Sequence, residues 1–329
     1  MSRIISIGTA VPPYKITQSQ ASRIVMNLFD KSDLNIQRLQ PIFHNTEIET
    51  RYTSAPVEWY EQNHSFAVKN KLYFKTTLAL SNEAVKCACE SAGIQPQEID
   101  HVFFISTTGI STPSIDAYLF NLHNFKPDIR RTPIWGLGCA GGVAGLSRAN
   151  DWLKAYPNKI ALVIAVELCS LTFVRNDLSK NNFVATALFG DGCAAALLAG
   201  EEYPHKNGRQ LSICDNAAIT WRDSLNVMGW ELDEQGLKVI FSQSIPTIVS
   251  QSSLPAISEF LNRNQLNVGN IDYFLSHPGG AKVIEAYKQA LELAESQLES
   301  MRAVLRNYGN MSSATVFFVL EHFLKTPQY

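Results

Sequence analysis

A repeat across the two halves of the chain constrains its fold more than any other feature. Gly93-Ile-Gln-Pro-Gln-Glu-Ile99-Asp100 follows a helical pattern and leads into an apolar run at residues 101–106. Leu266-Asn-Val-Gly-Asn-Ile271-Asp272 follows a second helical pattern at 255–263 and leads into residues 273–276. Each Ile-Asp pair opens a strand pattern ending in Ser, at an offset of about 172 residues. Nearly the same offset lays Gly138-Cys139 on Gly309-Asn310, each just before a small-residue helix start. Two matches in one order point to a duplicated unit, with halves at residues 1–205 and 206–329. In the first copy, the helix after Cys139 is followed by two strands, up to about residue 199. In the second, the chain stops just past the helix that follows Asn310. The second copy is therefore expected to lack its last strands.

Local patterns agree with a layered α/β fold. Strands are expected at 4–7, 102–106, 134–137, 160–166, 193–198 and 273–276. Helices are expected at 74–92 (stopped by Gly93), 141–156, 255–263, 282–293 and 312–324. The unbroken apolar run at 160–166 suits a strand covered on both faces. The charges of residues 292–306 read as a solvated helix face. With 329 residues, 46% of them hydrophobic, the chain can bury a large core. A net charge of -2 excludes a basic footprint for nucleic acid or an anionic membrane. The N-terminal apolar stretch is too short for a signal peptide, and no run of about 18 apolar residues forms a span. Six cysteines, at 87, 89, 139, 169, 193 and 214, are expected to be reduced thiols in a cytoplasmic protein. Cys87 and Cys89 have the wrong spacing for a zinc knuckle and are expected to be buried and structural.

Three residues stand at corresponding strand ends. Cys139 lies where an apolar run meets a glycine-rich turn and a helix begins, where amides and the helix dipole favour the nucleophilic thiolate. His277 precedes Pro278-Gly-Gly280, and Asn310 lies in Tyr308-Gly-Asn310-Met. Ligands of open α/β sheets gather beyond the carboxyl ends of the strands, so a duplicated sheet can bring all three to one place. They would supply a nucleophile, a base and a neutral hydrogen-bond donor. A competing motif shares the cysteine. Gly136-Leu-Gly138-Cys-Ala-Gly141 spells a dinucleotide fingerprint, with Glu167 as the ribose-binding acid. That alternative leaves His277 and Asn310 without a role. Phe189-Gly-Asp191-Gly192 is read as a tight turn and an aromatic wall at the mouth of the site.

At these residues the chain resembles the type III polyketide synthases, the chalcone-synthase-like branch of the thiolase superfamily. The matching pieces are Trp135-Gly-Leu-Gly-Cys139-Ala-Gly-Gly142, Ala187-Leu-Phe189-Gly-Asp-Gly192, Ser276-His277-Pro-Gly-Gly280 and Tyr308-Gly-Asn310-Met-Ser-Ser-Ala314. They occur in family order over nearly the whole chain, and Ala140 after the cysteine is similar to bacterial members. The resemblance implies a thiolase-like duplicated αβαβα sandwich and a homodimer. It implies that Cys139 takes an acyl group from an acyl-CoA starter. His277 would support the thiolate. His277 and Asn310 would bind the malonyl-CoA thioester carbonyl and stabilise the enolate left by decarboxylation. Phe189 matches the gatekeeper of the CoA tunnel, and Val239 stands where a second aromatic gatekeeper is usual. Glu167, Cys169, Thr172 and Ser312 match cavity-lining positions. Thr112-Pro113 matches a segment that reaches toward the partner subunit's cavity. Arg38 and Lys282 are the CoA-binding candidates. No metal, flavin or nucleotide cofactor is implied. The bacterial-like motif implies fatty acyl-CoA starters and pyrone- or resorcinol-type products. The family's Gly-Phe-Gly-Pro-Gly-type loop and final strand are not found in this sequence. Two alternatives therefore stay open: an inactive homologue acting as a scaffold or binding protein, and a ketoacyl synthase III-like condensing enzyme.

Overall fold

The computed structural model describes residues 1–28, 39–204, 209–242 and 245–327. Its centre is a six-stranded sheet in the order β5-β4-β6-β7-β1-β8. The strands are β1 (Ser2–Ala10), β4 (His101–Ile105), β5 (Arg130–Ile134), β6 (Ile160–Leu168), β7 (Asp191–Ala199) and β8 (Leu211–Ile213). Two hairpin ribbons lie outside it, β2 (Tyr14–Thr17) with β3 (Thr50–Thr53), and β9 (Met228–Asp233) with β10 (Gly236–Phe241). Every residue of β6 and β7 is buried, as the continuous apolar run at 160–166 requires. β6 runs parallel to β4 and antiparallel to β7.

Helices cover both faces. Phe66–Ala92 and Ile115–Leu122 bury Leu80, Ala84, Ala88, Ile115 and Leu119 on one side. The long helix is capped by Ser65, whose side chain accepts from the Val68 N–H, and ends at Gly93 in the left-handed region. The other face is covered by Gly141–Ala155 from the first half together with Thr315–Lys325 from the second, backed by Glu299–Tyr308. The helix after Cys139 and the helix after Asn310 thus share one layer. Their approach is close. A Cβ on Gly142 would come within 2.2 Å of the Ser313 carbonyl oxygen, and one on Gly145 within 2.7 Å of Ile105.

Several expectations are corrected. Residues 273–276 form no strand: an extended segment becomes one only beside a partner, and the Phe274 N–H goes instead to the Gln297 carbonyl. No strand follows Phe241 among the described residues. The strand expected at 134–137 lies at Arg130–Ile134, where its two arginines are tolerated on an exposed sheet edge; the chain then bends at Gly136, φ +89°. The helix expected from Ser312 begins at Thr315, because Ser312 itself sits at φ +48°. Residues 292–306 are not only a solvated face: Met301, Val304 and Leu305 are core, and Arg302 gathers Glu47, Glu285 and Glu295. Cys89 is buried, but Cys87 is exposed; all six cysteines are free. No helix among the described residues is long and apolar enough to cross a membrane.

Candidate active site

Cys139 sits in the tight turn Gly138–Ala140 that feeds the Gly141–Ala155 helix. Its thiol lies beside Ser312, which favours the anion and precedes the Thr315–Lys325 helix. The Ser312 backbone N–H in turn donates to Asn310 Oδ1 at 2.8 Å. Asn310 Nδ2 donates to the Gly279 carbonyl at 3.1 Å. Gly279 lies against the His277 ring, whose Nε2 is 3.8 Å from where a Gly279 Cβ would be. A chain of contacts therefore joins Cys139, Ser312, Asn310, Gly279 and His277, drawn from three separate stretches of sequence.

Backbone bonds fix Asn310 as firmly as its side chain. It is 0% exposed. Its N–H donates to the Leu188 carbonyl, and its own carbonyl accepts from Gly190, making a bridge beside Phe189. Gly309 at φ +69° allows this approach. Arg51 completes the clamp. Its guanidinium, 1% exposed, donates to the carbonyls of Thr186, Ala187 and Phe189 and to Gln18. These carbonyls end the Lys180–Leu188 helix, where a cation meets the negative end of the dipole. Sequence reasoning missed Arg51, since three of its four partners are backbone carbonyls more than a hundred residues away.

The electrostatics of the empty site differ from the expected thiolate. Burial pushes the Cys139 thiol up to about 11, outweighing the Ser312 bond and the local amide that favour the anion. Burial holds His277 down to about 4, and both its ring nitrogens are buried with no hydrogen-bond partner. Each group alone is neutral. A thiolate at Cys139 therefore needs a proton acceptor or an opposite charge brought close to it.

Glu167 is fully buried behind the cysteine. It accepts from Thr107 N–H, Thr108 Oγ1 and Ser313 Oγ, and burial raises it to about 7. It faces no open space for a ribose. Gly141 packs within 2.7 Å of Ile105 by its missing Cβ. The glycines of the fingerprint serve turns and helix packing, and the dinucleotide alternative fails on both counts.

An apolar cavity of about 70 Å³ lies beside these residues. Cys169, Thr172 and Phe189 line it, with Ile24, Val25 and Val239. Phe189 packs with Cys169, Ala185, Trp230 and Val239. Trp230 faces Val239 across the β9–β10 ribbon and places its ring 6.1 Å from that of Phe189. An aromatic thus reaches the gate from the strand next to Val239.

Comparison with known proteins decides the family. The family models described as chalcone and stilbene synthases match residues 1–202 (N-terminal domain) and 217–328 (C-terminal domain). This chain belongs to the chalcone and stilbene synthase family. It is 43% identical to a putative chalcone synthase of Bacillus subtilis (strain 168), over 99% of this chain and 91% of that protein. It is 34% identical to a 1,3,6,8-tetrahydroxynaphthalene synthase of Streptomyces peucetius subsp. caesius, over 97% and 84%. Among solved structures, the 1,3,6,8-tetrahydroxynaphthalene synthase of Streptomyces coelicolor A3(2), described as a bacterial type III polyketide synthase, superposes with a TM-score of 0.89. That match has 26% identity and covers 97% of this chain and 90% of that one. The fold is thus the thiolase-like fold of the type III polyketide synthases, and the chain is a condensing enzyme of acyltransferase type.

The remaining expected residues of this type III synthase are spread more widely. Ser312 is buried between Cys139 and Asn310. Thr172 donates to the Cys169 carbonyl at the cavity wall. Lys282 is exposed on the Ala281–Ala290 helix, in an open groove of about 480 Å³ that also holds Asn45, Glu47 and Glu285. Thr112 is exposed. Arg38 lies outside the described residues.

Proposed function

We propose that this chain extends an acyl-CoA starter, a fatty acyl-CoA, by iterative decarboxylative condensation with malonyl-CoA. The observation that carries the reading is the contact chain from Cys139 through Ser312 and Asn310 to His277, set beside an apolar cavity. In the loading step His277 takes the thiol proton, and the thiolate attacks the starter thioester and releases CoA. Malonyl-CoA then loses CO2. The proton on His277 leaves with the released CoA thiol, and the electron pair of the broken C–C bond becomes an enolate whose oxygen faces the remaining Asn310 N–H and the neutral His277 ring N–H. The enolate carbon attacks the acyl-Cys139 carbonyl, the C–S bond breaks, and Cys139 leaves as thiolate. Repetition and cyclisation yield pyrone- or resorcinol-type products. No metal, flavin or nucleotide takes part in these steps.

We place the enzyme in the cytoplasm as a homodimer, with the exposed Thr112-Pro113 segment directed at the partner's cavity and Lys282 near the CoA phosphates. The apolar lining of Ile16, Ala21, Ile24 and Val25 supports the fatty starter. The test incubates the protein with malonyl-CoA and acyl-CoAs of increasing length, with products read by mass spectrometry. Extended products that favour medium or long starters are expected. Products from malonyl-CoA alone, with acyl-CoAs ignored, would overturn the starter assignment.

A further inference from the structure

The cavity wall contributed by the second half is a hairpin that no sheet supports. Among the described residues β9 and β10 pair only with each other, in register from Gly236 opposite Asp233 to Phe241 opposite Met228. A two-stranded ribbon in water is marginal alone, so its position depends on what it is fastened to. Its inner face carries Leu237, buried, and Val239, which meets Phe189 and the cavity. Val239 and Trp230 are cross-strand partners, so a shift of the ribbon moves both at once.

One buried cation ties this ribbon to the rest of the site. Lys69 is 7% exposed, in the first turn of the Phe66–Ala92 helix. A lysine there opposes the helix dipole and gives up hydration. Its Nζ donates to the Phe173 carbonyl at 2.7 Å and to the Gln235 carbonyl at 3.2 Å. Phe173 ends the turn that carries Cys169 and Thr172. Gln235 is at the tip of the hairpin, where Asp233 Oδ1 accepts from the Gln235 and Gly236 N–H groups and holds the turn closed. Gly236 at φ +127° brings the tip against Phe66 and the Lys69 side chain. One ammonium therefore bridges the two segments whose side chains face each other across the cavity.

We propose that Lys69 is a positioning residue that latches the β9–β10 hairpin onto the Cys169–Phe173 turn, fixing how Val239 seats against Phe189 and Cys169 and with it the length of acyl chain the site accepts. The length-selection part rests on the condensing activity proposed above. Lys69 touches neither Cys139, His277 nor Asn310 in any hydrogen bond of the structure, so it acts through the wall and not on the reacting atoms.

The test compares the wild type with Lys69→Met, which keeps the stem and loses the donors, and Lys69→Arg, which keeps charged donors. Hydrogen exchange of residues 228–241 reads the latch without any substrate. Starter preference and malonyl-CoA decarboxylation are measured in parallel. In K69M, exchange in the hairpin should quicken about tenfold or more, as expected for loss of a charged hydrogen bond. Its preference among acyl-CoA lengths should shift, decarboxylation should stay within about twofold, and K69R should restore both. If K69M does not fold, Lys69→Gln, with one remaining donor group, is judged by the same criteria. Unchanged hairpin exchange overturns the latch. Quickened exchange with unaltered length preference overturns its role in selection. Uniform loss of protection across the chain, with all activities falling together, overturns it in favour of a general stabilising role. If the wild type extends no acyl-CoA, the proposed reaction fails, while the exchange comparison still decides the latch.

Discussion

At Asn310 the side chain is held from both ends, by the Ser312 N–H and the Gly279 carbonyl, and only one amide hydrogen remains for a substrate. An oxyanion donor works best when it need not reorganise. Asn310→Ala should lower malonyl-CoA decarboxylation about 10²- to 10³-fold. Alkylation of Cys139 by iodoacetamide should be far less affected. A loss of decarboxylation below tenfold would remove Asn310 from the chemistry. His277 has the opposite profile. Its two ring nitrogens have no partner among the described residues, and its buried imidazole is the proton acceptor that the proposed loading step requires. His277→Gln should slow alkylation of Cys139 near neutral pH by about tenfold or more, because the thiol of a buried cysteine then ionises alone. An unchanged alkylation rate would show that the thiolate forms without the imidazole.

Among the elements, the close crossing of the two central helices is the joint that assembles the site. Gly142 meets the Ser313 carbonyl, and Ser313 also bonds Glu167. Gly142→Ala must separate the helices, and should destabilise the fold by about 1–3 kcal/mol and reduce activity, seen as a lower thermal midpoint. Arg51→Met removes the donors that cap three carbonyls below Phe189 and Asn310, and should destabilise comparably or more. The buried strands β6 and β7, the Gly93 helix stop and the presence of a helix after both Cys139 and Asn310 were legible in sequence. Their signals are local: continuous apolar runs, a left-handed glycine, small residues at helix starts. Residues 273–276 were misread because their alternation resembles a strand, while strand formation depends on a neighbour that sequence pattern does not supply. Cys139, His277 and Asn310 were legible because each sits in a glycine-marked turn. Arg51 and Lys69 were not: their partners are carbonyls, which carry no residue-type signature.

Across the whole molecule, buried carboxyls link stability to pH. Glu167 is raised from 4.5 to about 7 and Asp191 from 3.8 to about 6, both by burial. Their folded pKa values exceed the unfolded ones, so between these values the folded state holds more protons. Their contribution to stability should therefore fall as pH rises through this window, while that of buried His101 and His277, both held down to about 4, rises as pH climbs toward 6.5. The sign for Glu167 is read by difference: the thermal midpoint of the wild type minus that of Glu167→Gln should fall from about pH 5 to about pH 7.5. A difference that climbs over this range would contradict the sign. The fold gathers Cys139, His277 and Asn310 from three separate stretches of sequence, and the proposed condensation requires that Cys139 carry the growing acyl group. Mass spectrometry of the protein after incubation with an acyl-CoA tests this most directly. The account requires an acyl adduct on the peptide containing Cys139, absent in Cys139→Ala and discharged as extended product when malonyl-CoA is added. An adduct on another residue, or none with any acyl-CoA, would contradict it.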